Sequence, residues 1–209
     1  PGRRRPGAAA GLVAAHWSGE GFADAAQAAE YRGRAQDWVA RYVEELDPDL
    51  DPVGVERWVS APTQRIVAEG RVDRIDERGG ELVVVDYKTG RQGLTVDEVR
   101  GSQALGLYAF AARRTLRREC RRVELHHLPT GNVAGWEHTE ESLGRHLRRA
   151  EEAADEIALA TDTLTAGGDP EILFPPSVGR ACSWCDFRRH CPEGRAAAPD
   201  LEPWALLAP

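Results

Sequence analysis

With 209 residues, 42% of them hydrophobic and 29% charged, the chain has enough apolar material for one good core and reads as a single domain with an appended element. No run approaches the roughly eighteen apolar residues of a membrane span, and no secretory signal pattern opens the chain, so a cytoplasmic protein without a membrane segment is expected. The net charge of −7 is the reverse of the basic footprint that nucleic-acid binders tend to leave. Arginine pairs at Arg113-Arg114, Arg117-Arg118, Arg121-Arg122, Arg148-Arg149 and Arg188-Arg189 nevertheless concentrate positive charge, enough for a local phosphate-facing surface.

The chain contains no methionine and opens at Pro1 with Arg3-Arg4-Arg5 between two prolines. Residues 1–20 read as a flexible basic lead, the remnant of a missing N-terminal segment, with a short helical turn or two from Gly11 to Trp17. A stronger helix is expected from Phe22 to Glu45, with a core-facing stripe at Ala28, Tyr31, Ala35, Trp38, Val39 and Tyr42. Asp24 is its early-turn acid, and Asp47-Pro48 ends it. Val53–Ser60 and Thr63–Ile75 read as paired strands. Glu56 and Glu69 are candidate extra carboxylates there, although alternation favours a solvent-facing position for both.

Two strands joined at Gly79-Gly80 follow, an alternating run to Ile75 and an apolar run from Leu82 to Val85. The second ends in Asp86-Tyr87-Lys88-Thr89-Gly90. Alternation puts Asp86 and Lys88 on one face, where the strand leaves the core. A bend at Gly79-Gly80 sets Asp73 opposite Asp86, and two facing carboxylates repel unless a cation lies between them. An isolated Asp-X-Lys is more often a solvated strand exit. Here the aligned Asp73, the lead-in Gly70-Arg-Val-Asp73-Arg and the stop at Thr89-Gly90 accompany it. Together they resemble the core of the PD-(D/E)XK nuclease superfamily, in its RecB-like exonuclease branch.

The resemblance implies a Mg²⁺- or Mn²⁺-dependent exonuclease that hydrolyses DNA phosphodiesters in repair or recombination. Asp73, Asp86 and the backbone carbonyl of Tyr87 would hold the metal, and Lys88 would orient the attacking water or stabilise the developing charge. The other reading is a catalytically inactive nuclease-like module that binds DNA or a helicase partner. The expected fold is α/β, restriction-endonuclease-like, with a mixed central sheet flanked by helices and a cysteine-bound C-terminal tail.

A helix is expected from Thr95 to Arg118, with Thr95 and Glu98 as a capping box. The resemblance assigns DNA contact and active-site support to a Gln-x-x-x-Tyr motif on this helix. The nearest match, Gln103 with Tyr108, is one residue longer, and five helical positions leave the two side chains about 140° apart. Strands follow at Arg121–Leu128 and Val133–Thr139, around a Pro129-Thr-Gly131-Asn132 turn. His126 and His127 are adjacent on a strand and point to opposite faces, so structural roles are expected for both. A helix from Glu141 to Leu164 is broken by Gly167-Gly168-Asp169-Pro170.

The second constellation is Cys182-x2-Cys185-x5-Cys191-Pro192. Three thiols so close in a reducing compartment argue for a metal centre over disulfides, with zinc and an iron–sulfur cluster both open. Beside the nuclease core, the element resembles the C-terminal part of iron–sulfur RecB-like nucleases, which implies a 4Fe-4S cluster. In those families a fourth cysteine and a Gly-x-x-x-His motif precede the core. Neither is matched here, since Cys120 follows the core motifs and reads as an ordinary half-buried cysteine, and His16 lacks the preceding glycine. The resulting division is a lead at 1–20, a nuclease core at 21–170, a cysteine element at 171–195 and a tail at 196–209.

Overall fold

A computed structural model describes residues 5–47, 50–91 and 93–207. Pro1, Arg3, Arg4 and Pro48, which figured in the sequence reading, lie outside the described residues. The chain divides into two compact units, one formed by residues up to His16 with Arg32–Asp155, the other by Trp17–Tyr31 with the chain from Glu156 onward. No helix among the described residues is long and apolar enough to cross a membrane.

The first unit is built on a five-stranded sheet, β1 (Gly54–Pro62), β2 (Val67–Arg78), β3 (Glu81–Lys88), β4 (Cys120–His127) and β5 (Asn132–Glu137), in the spatial order of the chain. Every neighbour is antiparallel except β3 and β4, so the sheet is mixed as expected. The β2–β3 hairpin closes on Gly79 and Gly80 with φ of +61° and +88°, the left-handed pair that a two-residue turn matched to strand twist demands. Its register pairs Arg74 with Val85 and Arg78 with Glu81. A parallel pair cannot be closed by a tight turn. The β3–β4 crossover is made by two helices, α3 (Val96–Gly101) and α4 (Gln103–Leu116), where the sequence predicted one. Thr95 and Glu98 form the expected capping box on α3. Ser102 interrupts the helix because it adopts extended backbone and its hydroxyl accepts the Leu105 N–H, starting a new helix.

The core lies between α4 and one sheet face: Leu105, Ala109 and Ala112 against Val59, Val72, Ile75, Leu82, Val84, Val123 and Leu125. Small residues on α4 allow close approach. At two points only glycine fits, since a Cβ on Gly70 would come within 2.5 Å of the Tyr108 ring and one on Gly106 within 2.7 Å of the His146 ring. The other helices are α1 (Pro6–Ala15), α2 (Ala25–Glu45), α5 (Glu140–Thr165), α6 (Pro170–Leu173) and α7 (Pro192–Ala197). The α1 helix starts earlier than predicted, inside the stretch read as a flexible lead, because Pro6 provides a preset first-turn residue before an alanine-rich run. Asp24 lies just before α2, its carboxylate accepting the Gln27 N–H at 2.8 Å, so it acts as a cap and not as a first-turn acid.

Where β5 meets α5, His138 is buried with Nδ1 on the Ser142 hydroxyl at 3.0 Å, and its ring meets the His146 ring edge-on at 5.2 Å. Burial first, then the nearby His146 and Arg145, hold the His138 pKa down to about 4. The fold therefore keeps His138 neutral while the unfolded chain takes up a proton below about 6.5, so stability falls as the pH drops from about 6.5 to 4. In His138→Gln this part of the pH dependence of the unfolding free energy should shrink. An unchanged slope would show that other groups cause it.

Candidate active site

Strand β3 carries its apolar run through the core and releases two charged residues at its end. Lys88 Nζ lies 2.5 Å from Asp86 Oδ2, with the Lys88 side chain 47% exposed and that of Asp86 20% exposed. The contact is one of charge without hydrogen-bond geometry, so Asp86 Oδ2 is a buried oxygen with no hydrogen-bond donor. The parallel ladder to β4 runs on to Lys88↔His127, and Leu128 N–H donates to the Lys88 carbonyl at 3.0 Å. His127 then bonds the Gly90 carbonyl at 2.6 Å and the Thr130 hydroxyl at 2.7 Å, which pins the turn after Lys88.

Asp73 reaches the same place differently. The β2–β3 ladder stops at Arg74↔Val85, one rung short of the Asp73 and Asp86 pair. Where the backbone ladder ends, Asp73 Oδ2 accepts the Tyr87 N–H at 2.9 Å. Asp73, Asp86 and Lys88 are thus brought together around Tyr87. Two carboxylates, one with an oxygen lacking a donor, suit a hard divalent cation that binds through one or two carboxylates and keeps several waters. No group of three or more His, Cys, Asp and Glu side chains assembles for a metal among the described residues.

The two helix residues separate, as their spacing implies. Gln103 spends both ends of its amide on α5, donating to the His146 carbonyl at 2.6 Å and facing His146 Nδ1 at 3.0 Å. Tyr108 lies over Gly70, three residues before Asp73. The lead-in glycine therefore has a physical reason, which is to admit this ring. Glu56 is exposed and ion-paired with Arg71 at 2.9 Å, and Glu69 is exposed, so both carboxylates face solvent.

Sequence reasoning missed a polar network on the opposite sheet face. Asp76 accepts Arg74 Nε at 2.6 Å and Arg78 at 3.0 Å. Glu124 takes both oxygens' worth of Arg78 at 2.9 and 3.0 Å, Arg122 Nε at 2.6 Å and His126 Nε2 at 2.9 Å. His126 Nδ1 meets the Tyr42 hydroxyl at 2.9 Å, and that hydroxyl faces the Tyr87 hydroxyl at 3.5 Å. Burial, reinforced by Tyr87, pushes the Tyr42 pKa well above its ordinary value. The network ends on the residue whose amide Asp73 holds. A signal existed, namely polar residues at every second position of Arg74-x-Asp76-x-Arg78 and Arg122-x-Glu124-x-His126.

In the second unit, Cys182 Sγ accepts the Gly179 N–H at 3.4 Å and Cys191 Sγ the Gly194 N–H at 3.3 Å, with Gly194 lying against both sulfurs. Cys185 is exposed. Cys120 is fully buried in β4, where burial pushes its thiol up to about 12, so it is a core residue and more deeply buried than predicted.

A family model of the PD-(D/E)XK nuclease superfamily matches residues 1–192. The chain belongs to this superfamily, whose members are generally nucleases, with DNA as the implied substrate and divalent metals such as Mg²⁺ as typical cofactors. No curated protein matches the chain. Among solved structures, one described as "Crystal structure of SSO0001" is 18% identical, with 79% of this chain and 78% of that chain covered and a TM-score of 0.36.

Proposed function

We propose that this chain is a metal-dependent deoxyribonuclease that degrades DNA from ends during repair or recombination. The observation that carries the reading is the Asp86–Lys88 contact at the end of β3, with the Asp73 carboxylate holding the amide of the residue between them. Asp73, Asp86 and the Tyr87 carbonyl are the oxygens that would hold Mg²⁺ or Mn²⁺. A bound divalent cation supplies Lewis-acid activation of the phosphate and lowers the pKa of an attacking water. Asp73 does a second job, fixing the Tyr87 peptide by its hydrogen bond. Lys88 is half-exposed at the strand end beside Asp86, where its ammonium can donate to the attacking water or to a phosphate oxygen as negative charge develops there. Of the predicted helix pair, only Tyr108 lies near the Asp73 strand, and its part is to pack over Gly70.

The cysteine element is assigned in the same reading to a 4Fe-4S cluster, with Cys182, Cys185 and Cys191 as ligands. Two of these sulfurs already accept backbone N–H groups, the kind of outer interaction that tunes cluster thiolates. Zinc is the alternative occupant. The test is degradation of linear single- and double-stranded DNA with Mg²⁺ or Mn²⁺, with chelator as control, on anaerobically purified protein whose visible spectrum is recorded. Metal-dependent loss of DNA with cluster absorbance is expected. DNA binding without cleavage would replace the enzyme by a module that holds DNA or a helicase, and a colourless protein containing zinc would replace the cluster.

A further inference from the structure

Glu56 has φ +49° in the middle of β1. The other described non-glycine residue with positive φ is Arg117, which caps α4, a place where left-handed backbone ends a helix. No such function accounts for Glu56, and strands exclude this conformation for ordinary side chains.

Two further observations fall on the same rung. Val55↔Arg74 and Arg57↔Val72 are paired, while Glu56 and Asp73 between them are not. The burial pattern of β2 also changes phase there, while on β1 burial simply ends before that rung, with Val59 and Ala61 fully buried and residues 55–58 all exposed. On β2 the buried positions Ala68 and Val72 are followed by Ile75, an odd step. The β2 strand therefore turns over at Asp73, on the unpaired rung opposite Glu56. Had β2 kept its alternation, Asp73 would face solvent with Glu69 and Arg71. Instead its carboxylate holds the Tyr87 amide, where the β2–β3 ladder stops.

We infer that Glu56 is a positioning residue for the cleavage site, acting through its left-handed backbone, which breaks the β1–β2 ladder at the Asp73 rung, so that β2 turns over there and sets the Asp73 carboxylate against the Tyr87 amide beside Asp86. The consequence for cleavage rests on the nuclease reading above; the consequence for Asp73 does not. The Glu56 carboxylate contributes little, since its ion pair with Arg71 is more than half exposed on both sides and screened by solvent.

Three variants separate backbone from side chain. Glu56→Gly removes the carboxylate and accepts positive φ freely, Glu56→Gln keeps the shape without the charge, and Glu56→Val brings a β-branched residue averse to this region. The first readout is hydrogen exchange at the Tyr87 amide in metal-free protein, followed by NMR and compared with the Val84 amide deep in the strand. The second is the kcat and KM of DNA cleavage. In Glu56→Val, Tyr87 exchange should quicken about tenfold relative to Val84 and kcat should fall about tenfold with KM unchanged. Glu56→Gly and Glu56→Gln should keep Tyr87 protected and kcat within about twofold of wild type. A protected Tyr87 amide in Glu56→Val overturns the inference, as does its loss in Glu56→Gly. If Glu56→Val does not fold, the glycine and glutamine variants still decide between backbone and carboxylate. A wild-type protein that cleaves no DNA sinks the nuclease reading alone, and the exchange experiment then still decides the placement of Asp73.

Discussion

Lys88→Ala should lower the rate of metal-dependent DNA cleavage by about 10²- to 10³-fold, the usual cost of removing one group that meets developing charge, while stability changes by no more than about 0.5 kcal/mol, as for an exposed position. Lys88 is nearly half exposed, so its removal leaves no cavity, and its contact with Asp86 lacks hydrogen-bond geometry. The variant has a second consequence. The ammonium lies 2.5 Å from Asp86 Oδ2 and competes for the oxygen that a cation needs. Divalent metal should therefore bind Lys88→Ala at least as tightly as wild type although turnover is lost. Asp86→Asn should lose both, because the amide offers a weaker oxygen to a hard cation. The measurements are initial rates on linear DNA across a Mg²⁺ titration, with calorimetric metal binding beside them. Cleavage that survives in either variant removes these residues from the chemistry.

The largest effect on stability is expected at Glu124. Glu124→Ala should destabilise the fold by about 3–5 kcal/mol, the scale for removing one partner of a buried charge network. The Glu124 side chain is 2% exposed and holds Arg78, Arg122 and His126, so that its removal takes an acceptor from all three at once and leaves Arg78 with Asp76. Burial raises the Glu124 pKa, but hydrogen bonds from His126, Arg122 and Arg78 outweigh it and bring the group from 4.5 down to about 2. Because the folded value is the lower one, this stabilisation is complete above about pH 4.5 and is lost as the pH falls towards 2. Denaturant unfolding of wild type and Glu124→Gln across this range should show a flatter acid limb in the variant. A loss below about 1 kcal/mol in Glu124→Ala, the size of a surface pair, would show that the network holds little. Tyr87 adds a functional reading, since the chain from Glu124 through His126 and Tyr42 ends on its ring while Asp73 holds its amide.

The hairpin was legible because its signals are local. Gly79-Gly80 requires positive φ, the apolar run from Leu82 requires burial, and alternation puts Asp86 and Lys88 on one face. Positions for α2, α5 and the five strands followed from periodicity with small shifts at the ends. Where the reading failed, the reason was local chemistry overlooked or contact at a distance. Ser102 splits a helix that periodicity joins, through one side-chain bond to Leu105 N–H. Pro6 starts a helix inside a segment that its arginines and prolines made look unstructured. Gln103 could not be placed until α5 presented His146 to it.

By itself, the sequence determined which residues could make a hard-cation site and on which strand, because residue chemistry and two-residue alternation need no knowledge of the rest of the chain. It also determined the cysteine spacing and the mixed α/β class. Only the tertiary structure decided how Asp73 meets Asp86. Simple pairing would set the two carboxylates face to face on a continuous ladder. Instead the ladder ends early, β2 turns over opposite Glu56, and Asp73 binds the Tyr87 amide. The network joining Arg74, Asp76, Arg78, Arg122, Glu124, His126 and Tyr42 was likewise decided there, because its members come from β2, β4 and α2, and only the assembled sheet brings buried charges close enough to satisfy one another.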